Sequence, residues 1–220
     1  MLTTDIINNS IPRLRLQDTV SKALQLINDF RLTHLPVVTE EKYLGLVSET
    51  NLLDAEDEGI LLELLQESFI TKAVADNEHF LSAVNFVNQF ETNVVPVVNE
   101  EAELTGVITS ADLLKKLGNF SGAASIGGII VLEMNRSQFS ISEISRIVES
   151  NDATILNLNT ITSPETGILI VTIHLNKKDV AAIIASFERY EYNITGYFGS
   201  EKFESEIHNN FLHLMNYLDI

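Results

Sequence analysis

The sequence predicts an α+β chain in which a duplicated helix–strand–strand–helix unit precedes a smaller domain of order βαββαβ. Three observations carry this. The first is an internal repeat: at an offset of 60, Ala23 matches Ala83, Asn28 matches Asn88, Phe30 matches Phe90, Pro36-Val37-Val38 matches Pro96-Val97-Val98, and Glu40-Glu41 matches Glu100-Glu101. One inserted residue moves the offset to 61, at which Gly45 pairs with Gly106, Val47 with Ile108, Leu52 with Leu113 and Leu53 with Leu114. The second is that the hydrophobic period changes at the same places in both copies. The third is a further change of period after the Ser/Gly/Ala-rich stretch 118–128, which reads as a linker.

Each copy opens with apolar residues at helical spacing, Val20, Leu24, Ile27 and Phe30 in one and Phe80, Val84, Val87 and Phe90 in the other, as a helix with one buried face requires. A short apolar run follows at 35–38 or 94–98, its proline suited to a strand entrance. Acidic turns at 40–42 and 99–103 lead to second strands at 44–47 and 105–108, and a second helix opens at Ser48 or Thr109. Such a unit leaves one sheet face bare, and two copies, residues 3–60 and 61–120, can bury those faces against each other. Between them, 54–67 carries Asp54, Glu56, Asp57, Glu58, Glu63 and Glu67 around Ile60, Leu61, Leu62, Leu64 and Leu65, which predicts an acidic helical linker with one apolar face. No histidine joins these carboxylates, so they read as a solvated face.

In the second half, 129–134 reads as a strand and 141–149 as a helix with Ile141, Ile144 and Val148 on one face. The stretch 153–161 alternates Ile155, Asn157, Asn159 and Ile161 against Leu156, Leu158 and Thr160, the pattern of a half-buried strand. A hairpin turn at 163–167 leads to a strand at 168–175, a helix at 179–191 and a last strand at 192–198. The order βαββαβ over 128–199 is that of the ferredoxin-like split-βαβ sandwich. Ile207, Phe211, Leu214, Met215 and Leu218 then recur at helical spacing in 200–220, which predicts an amphipathic helix packing on its own domain or on a partner.

Composition bounds the function. The chain is 45% hydrophobic with four prolines and ten glycines, which suits folded domains. Fourteen Lys+Arg against 31 Asp+Glu give a net charge of -17. Without a basic cluster to displace counterions from phosphates, no nucleic acid is expected as a partner, nor an anionic membrane surface. Zero cysteines exclude disulfides, thiol catalysis and Cys-ligated metal. The first residues lack the basic and apolar regions of a signal peptide, and no run of about 18 apolar residues occurs; a cytoplasmic protein is expected. His34, His79, His174, His208 and His213 fall into no metal-binding spacing, and no nucleophile elbow, P-loop or dinucleotide fingerprint is present. No catalytic centre and no required cofactor are predicted.

The pattern of a helix, h-h-P-V-V, a turn and Gly-h-h-Ser/Thr-x-x-Asp-h-h closely resembles the CBS domain, named for cystathionine β-synthase, and two in tandem resemble a Bateman module. The resemblance implies an adenosine-containing ligand, of the AMP, ADP, ATP or S-adenosylmethionine type, held in the cleft between repeats to regulate an attached or associated protein. It assigns the Thr109 hydroxyl to a ligand phosphate and Asp112 to ribose hydroxyls. The chemistry suits the place, because free N–H groups at a helix start attract phosphate. The same spacing is also a capping box, which stabilises a helix start with no ligand, and the two roles can coexist. In the first repeat Ser48 is followed by Asn51 instead of Asp; Asn is neutral and carries donors as well as an acceptor, so this site is expected to be the weaker one. Val95, Pro96, Leu35 and Pro36 would line the adenine pocket by the same resemblance, and read equally as core strand. Lys115 and Lys116, just past Asp112, are placed to meet an anionic ligand or solvent.

The second domain is similar in size and position to an ACT domain, and the whole arrangement to acetoin-utilisation-type CBS proteins. Amino-acid-binding ACT domains carry a glycine in the first strand-to-helix loop. Here that loop, 135–140, has none, which leaves dimerisation as the role the resemblance implies. The expectation is therefore a non-catalytic, homodimeric regulator that senses an adenosine-type molecule and acts on a protein partner. Two other readings stay open: an adaptor with empty clefts, and an amino-acid sensor working through the ACT-like half.

Overall fold

Helix α1 (Val20–Phe30) organises the first repeat in the computed structural model, which describes residues 1–40 and 42–199. The Thr19 hydroxyl accepts from the Lys22 N–H and satisfies one of the orphan donors at the helix start. The antiparallel strands β2 (His34–Thr39) and β3 (Lys42–Ser48) follow, and α2 (Glu49–Leu53) completes the copy. The second copy repeats the order with α3 (Leu81–Phe90), β5 (Val94–Val98), β6 (Leu104–Thr109) and α4 (Ser110–Ser121). The duplication reaches the backbone. Arg31 and Glu91 end α1 and α3 in the left-handed region, and Glu40 and Ala102 take it up in the two strand turns. A non-glycine residue there costs about 1–2 kcal/mol, and both copies accept it, at matching positions where the first helix ends and once more within the strand turn.

Each sheet gains a third strand that has no periodic signal in the sequence. β1 (Leu14–Arg15) and β4 (Val74–Ala75), two residues each, pair in parallel with β2 and β5. The sheet orders are β1-β2-β3 and β4-β5-β6. One continuous core joins both copies, with Leu14, Val20, Ala23, Ile27, Leu35 and Leu46 from the first and Val74, Phe80, Ala83, Val95, Val107 and Ile108 from the second.

Three details differ from the sequence reading. Phe30 is exposed, and the buried stripe of α1 runs through Val20, Ala23 and Ile27. Pro36 and Pro96 stand third in their strands, not at the entrance. Pro36 faces Leu46, whose N–H and C=O both turn away to Ile70 (2.9 and 3.0 Å); the missing N–H of Pro36 therefore points to the side where β1 begins only at Val37. The stretch 54–67 is not a continuous helix. Its only helical turn is a 3-10 segment, Leu62–Ser68. Upstream, its backbone is drawn off to the start of α1: Val20 N donates to Ile60 O, Ser21 N to Glu58 O and Leu62 N to Asp18 O.

The chain divides into two compact units, Met1–Leu117 and Gly118–Ile220. In the second, β7 (Ile129–Met134), α5 (Ile141–Glu149), β8 (Ile155–Thr162), β9 (Leu169–Leu175), α6 (Ala181–Arg189) and β10 (Asn193–Phe198) form an antiparallel sheet of order β10-β7-β9-β8. This is the ferredoxin-like arrangement. Ile130 and Leu132 of β7, Val171 and Ile173 of β9, Ile144 of α5 and Phe187 of α6 meet in its core. The stretch read as a linker is helical up to Ser121. Its last two residues, Gly127 and Gly128, let the chain pass close to the end of β9: a Cβ on Gly127 would lie 1.6 Å from Leu175 O. The amphipathic segment expected at 200–220 lies outside the described residues.

Candidate functional site: the helix starts at the seam between repeats

The two copies interlock through their leading segments. Asn8, ahead of α1 in the first copy, donates its N–H to Val107 O of β6 at 2.7 Å. Ile70, ahead of α3 in the second, exchanges both backbone bonds with Leu46 of β3. The outer edges of β3 and β6 are thus each met by the other copy's leader, which shields an edge that would otherwise be unpaired. Gly45 and Gly106 exist for this crossing. A Cβ on Gly45 would come within 2.6 Å of Phe69 Cβ, and one on Gly106 within 2.1 Å of Ile7 Cγ2. Thr3, fully buried, fastens the first leader further, its hydroxyl donating to Ala75 O at 2.6 Å. Tyr43 fastens the second, its hydroxyl 2.9 Å from Ile70 O and 3.1 Å from Lys72 O, and burial pushes that phenol well above its ordinary pKa.

The seam itself runs through Thr33 and Asn93, which match at the offset of 60. Thr33 N and Oγ1 donate to Asn93 Oδ1 at 2.8 and 2.9 Å, and Asn93 N donates to Thr33 Oγ1 at 3.3 Å. The second helix of each copy departs from this point. Glu49 N donates to Thr33 O and Ser110 N to Asn93 O, each at 2.9 Å. The candidate residues Ser48 and Asn51, and Thr109 and Asp112, therefore sit one on each side of a single junction. Neither Thr33 nor Asn93 is marked in the sequence, because the two matching positions hold different residue types.

At the second-repeat start the capping box is complete. Thr109 Oγ1 donates to Asp112 Oδ2 at 2.6 Å, Asp112 N donates to Thr109 Oγ1 at 3.2 Å, and Thr109 N reaches Asp112 Oδ2 at 3.4 Å. Both side chains are half-buried. In the first repeat Ser48 Oγ bonds Asn51 Oδ1 and accepts from Asn51 N at 3.0 Å, the same geometry without the charge. The site residues thus divide into two kinds. Ser48, Asn51, Thr109 and Asp112 are accessible polar groups at helix starts. Leu35 and Val95 are fully buried in the core, and Pro36 and Pro96 are buried beside them; they build the strands that carry the seam. His34, at the start of β2 opposite Ser48, is also buried, its Nδ1 2.9 Å from Thr33 Oγ1. Desolvation holds its pKa below the ordinary histidine value.

Concavities among the described residues lie elsewhere. One of about 530 Å³ runs along α3, lined by Lys72, Glu78, Leu81, Asn85 and Gln89 among others. In the second unit, one of about 340 Å³ is lined by Glu133, Glu143, Glu191, Tyr190 and Tyr192. Tyr192 donates to Glu143 Oε2 at 2.9 Å, and burial together with that carboxylate raises the Tyr192 pKa to about 12. Three carboxylates make this hollow a poor seat for the carboxylate of an amino acid. Among the described residues no cluster of three or more potential metal ligands occurs, and no helix is long and apolar enough to cross a membrane.

Residues 4–58 and 73–119 match the CBS domain family. Over 119 residues, 53% of this chain, the sequence is 26% identical to a homoserine O-acetyltransferase from Methanobrevibacter ruminantium. Over 102 residues, 45% of this chain, it is 28% identical to an inosine-5'-monophosphate dehydrogenase from Methanocaldococcus jannaschii. The chain spans only 24% and 20% of the length of these two curated relatives. Among solved structures, a CBS domain pair/ACT domain protein from Thermotoga maritima superposes with a TM-score of 0.50 at 20% identity, over 55% of this chain and 98% of the other. The duplicated unit, its shared core and the two matched stretches mark the first half of this chain as a tandem pair of CBS domains.

Proposed function

We propose that the CBS pair is a regulatory sensor for an adenosine-containing ligand, held at the seam with Thr109 and Asp112 as anchors, and that its output is a change in an associated protein rather than a reaction. The observation that carries this reading is the placement of Thr109 and Asp112. A hydroxyl and a carboxylate stand together at the start of a twelve-residue helix, where free N–H groups favour phosphate and the carboxylate accepts from two vicinal hydroxyls. Ser48 and Asn51 offer the same shape without the charge, so we assign them the weaker site. Leu35, Pro36, Val95 and Pro96 support these positions from the core. A ligand that prefers one packing of the two repeats shifts the population toward it. The second unit, ACT-like in this reading, assembles a homodimer; its edge strand β8 is exposed along most of its length.

One observation favours a second reading, a structural adaptor without a ligand: Thr109 and Asp112 already satisfy each other, so a ligand must replace the 2.6 Å bond between them. Thermal unfolding of the full chain with and without AMP, ADP, ATP and S-adenosylmethionine separates the two. A ligand at about 100 times its dissociation constant stabilises by about 2.7 kcal/mol. Asp112→Ala is expected to abolish this ligand-dependent shift, measured against its own ligand-free midpoint; the Thr109 hydroxyl still caps the helix in this variant, which loses only the carboxylate's bonds to Thr109. No shift with any of the four would favour the adaptor, and amino acids would then be screened against the second domain.

A further inference from the structure

The sheet of the second unit has two faces of different character. Helices α5 and α6 pack on one, against Ile130, Leu132, Val171 and Ile173. The alternate residues of the same strands point to the other. A solvated face of an antiparallel sheet is ordinarily polar, but the pairing register draws an apolar stripe diagonally across this one. Phe198 and Ile129 stand side by side at one end, Val131 and Thr172 in the middle, and Ile170 and Ile161 at the opposite corner. Phe198 and Ile161 are 62% and 57% exposed, and Ile129, Val131 and Ile170 are half-buried beside neighbours that are fully buried on the helix side. The two corners off the diagonal are polar, Asn157 with His174 at one and Asn193 with Glu133 at the other. With about 3.3 Å per residue along a strand and about 4.8 Å between strands, the stripe is roughly 20 Å long.

We infer that the stripe is the docking surface for residues 200–220 of the same chain. These lie outside the described residues and follow β10 directly, and Ile207, Phe211, Leu214, Met215 and Leu218 recur in them at helical spacing. A helix over 207–218 is roughly 18 Å long at about 1.5 Å per residue, which matches the stripe. The place where the described chain ends points the same way. Gly199, at φ +124°, sits against the foot of β7: a Cβ on it would lie 2.7 Å from Gly128 Cα, one residue ahead of Ile129. The chain therefore leaves at the stripe's own end, next to Phe198. Residues 200–206 reach at most about 23 Å, enough to bring Ile207 to either end of the stripe. So short a connection holds the segment at about millimolar effective concentration, which favours it over a second copy. Shape also selects against a second sheet laid face to face. That would bury the Asn157, Asn193 and Glu133 corners without partners, whereas a helix about 10 Å wide covers the stripe and leaves them in water. Neither a nucleotide nor a dimer is needed for this docking.

The chain has no native cysteine, so a single introduced thiol reports whether this face is covered. Thr172→Cys, in the middle of the stripe, is made in the full chain, alone and together with Phe211→Asp/Leu214→Asp. A small thiol reagent is expected to modify it at least about tenfold more slowly when Phe211 and Leu214 are intact; equal rates overturn the docking. Protection that falls on dilution from high to low micromolar protein would place a partner's segment on the stripe and overturn its assignment to the same chain. Paired cysteines supply a second readout that leaves the apolar residues of the segment nearly complete. Under mild oxidation Thr172→Cys/Leu214→Cys is expected to close a disulfide within one chain. Thr172→Cys/Asn209→Cys, with Asn209 on the opposite side of the helical period, is expected to close little. Equal yields from the two pairs, or disulfides formed only between chains, would count against the proposal. Failure of the nucleotide experiment leaves both readouts intact.

Discussion

His34 is the residue at which the two repeats differ most in chemistry. The matching position holds Val94, and both are buried on the first residue of the central strand. The sequence shows His34 only as an isolated histidine; its burial follows from the seam, where Thr33 Oγ1 lies 2.9 Å from its Nδ1. Because desolvation lowers its pKa in the folded protein, the unfolded chain binds more protons once the pH falls below the ordinary value of 6.5. Stability is therefore unaffected by this group above that pH and is lost as pH falls from there toward the folded-state pKa, with a slope of at most about 1.4 kcal/mol per pH unit. Thermal midpoints of wild type and His34→Val between pH 7.5 and 5.5 check this. The variant should lose less stability over that interval; parallel curves would show that His34 is not the group responsible. The capping boxes, by contrast, are legible residue by residue, since Ser48 with Asn51 and Thr109 with Asp112 meet their partners within a single helical turn.

At the scale of elements, the long strands and helices are legible and the short ones are not. Pro-Val-Val followed by Gly marks β2 with β3 and β5 with β6, short apolar runs buried along nearly their whole length. The alternation of 153–161 marks β8, although a register shift between Ile155 and Asn157 leaves Leu156 and Ile161 exposed and turns Ile155 and Leu158 to the core. Two-residue strands such as β1 and β4 have no period to read. The stretch 54–67 misleads for a related reason: its apolar residues suggest a helix face, but the backbone there is committed to the start of α1. The crossing of the leaders is invisible in either copy alone, although Gly45 and Gly106 are its trace. Substituting Gly106 by Ala drives a methyl group into Ile7 and Asn9 and should destabilise the protein by about 1–3 kcal/mol, read as a lowered urea midpoint. Gly118→Ala, where the added methyl meets nothing within 4 Å, is the matched control and should not lower it. Equal midpoints for Gly106→Ala and wild type would mean the leader is not held against β6 in solution.

Across the whole molecule the net charge of -17 sets the electrostatics. Of the three ion pairs found among the described residues two are exposed on both sides and the third, Lys22–Asp18, has an exposed lysine, so screening removes little attraction while it relieves much repulsion. The thermal midpoint is expected to rise by a few degrees as NaCl is increased from about 20 to about 300 mM, over which the Debye length falls from roughly 20 to roughly 6 Å; a falling midpoint would show that local pairs outweigh the global field. The duplication, the βαββαβ order of the second half and the absence of a basic surface were determined by the sequence alone, because each is a matter of local pattern or of composition. Only the tertiary structure decided that the leaders change partners, that Thr33 and Asn93 form the junction, and that both helix starts meet there. Those contacts join separate segments of the chain, as in Asn8 with Val107, Leu46 with Ile70 and Thr33 with Asn93, and most run through backbone N–H and C=O groups. Every non-proline residue carries the same two groups, so nothing in the order of side chains marks which of them pair.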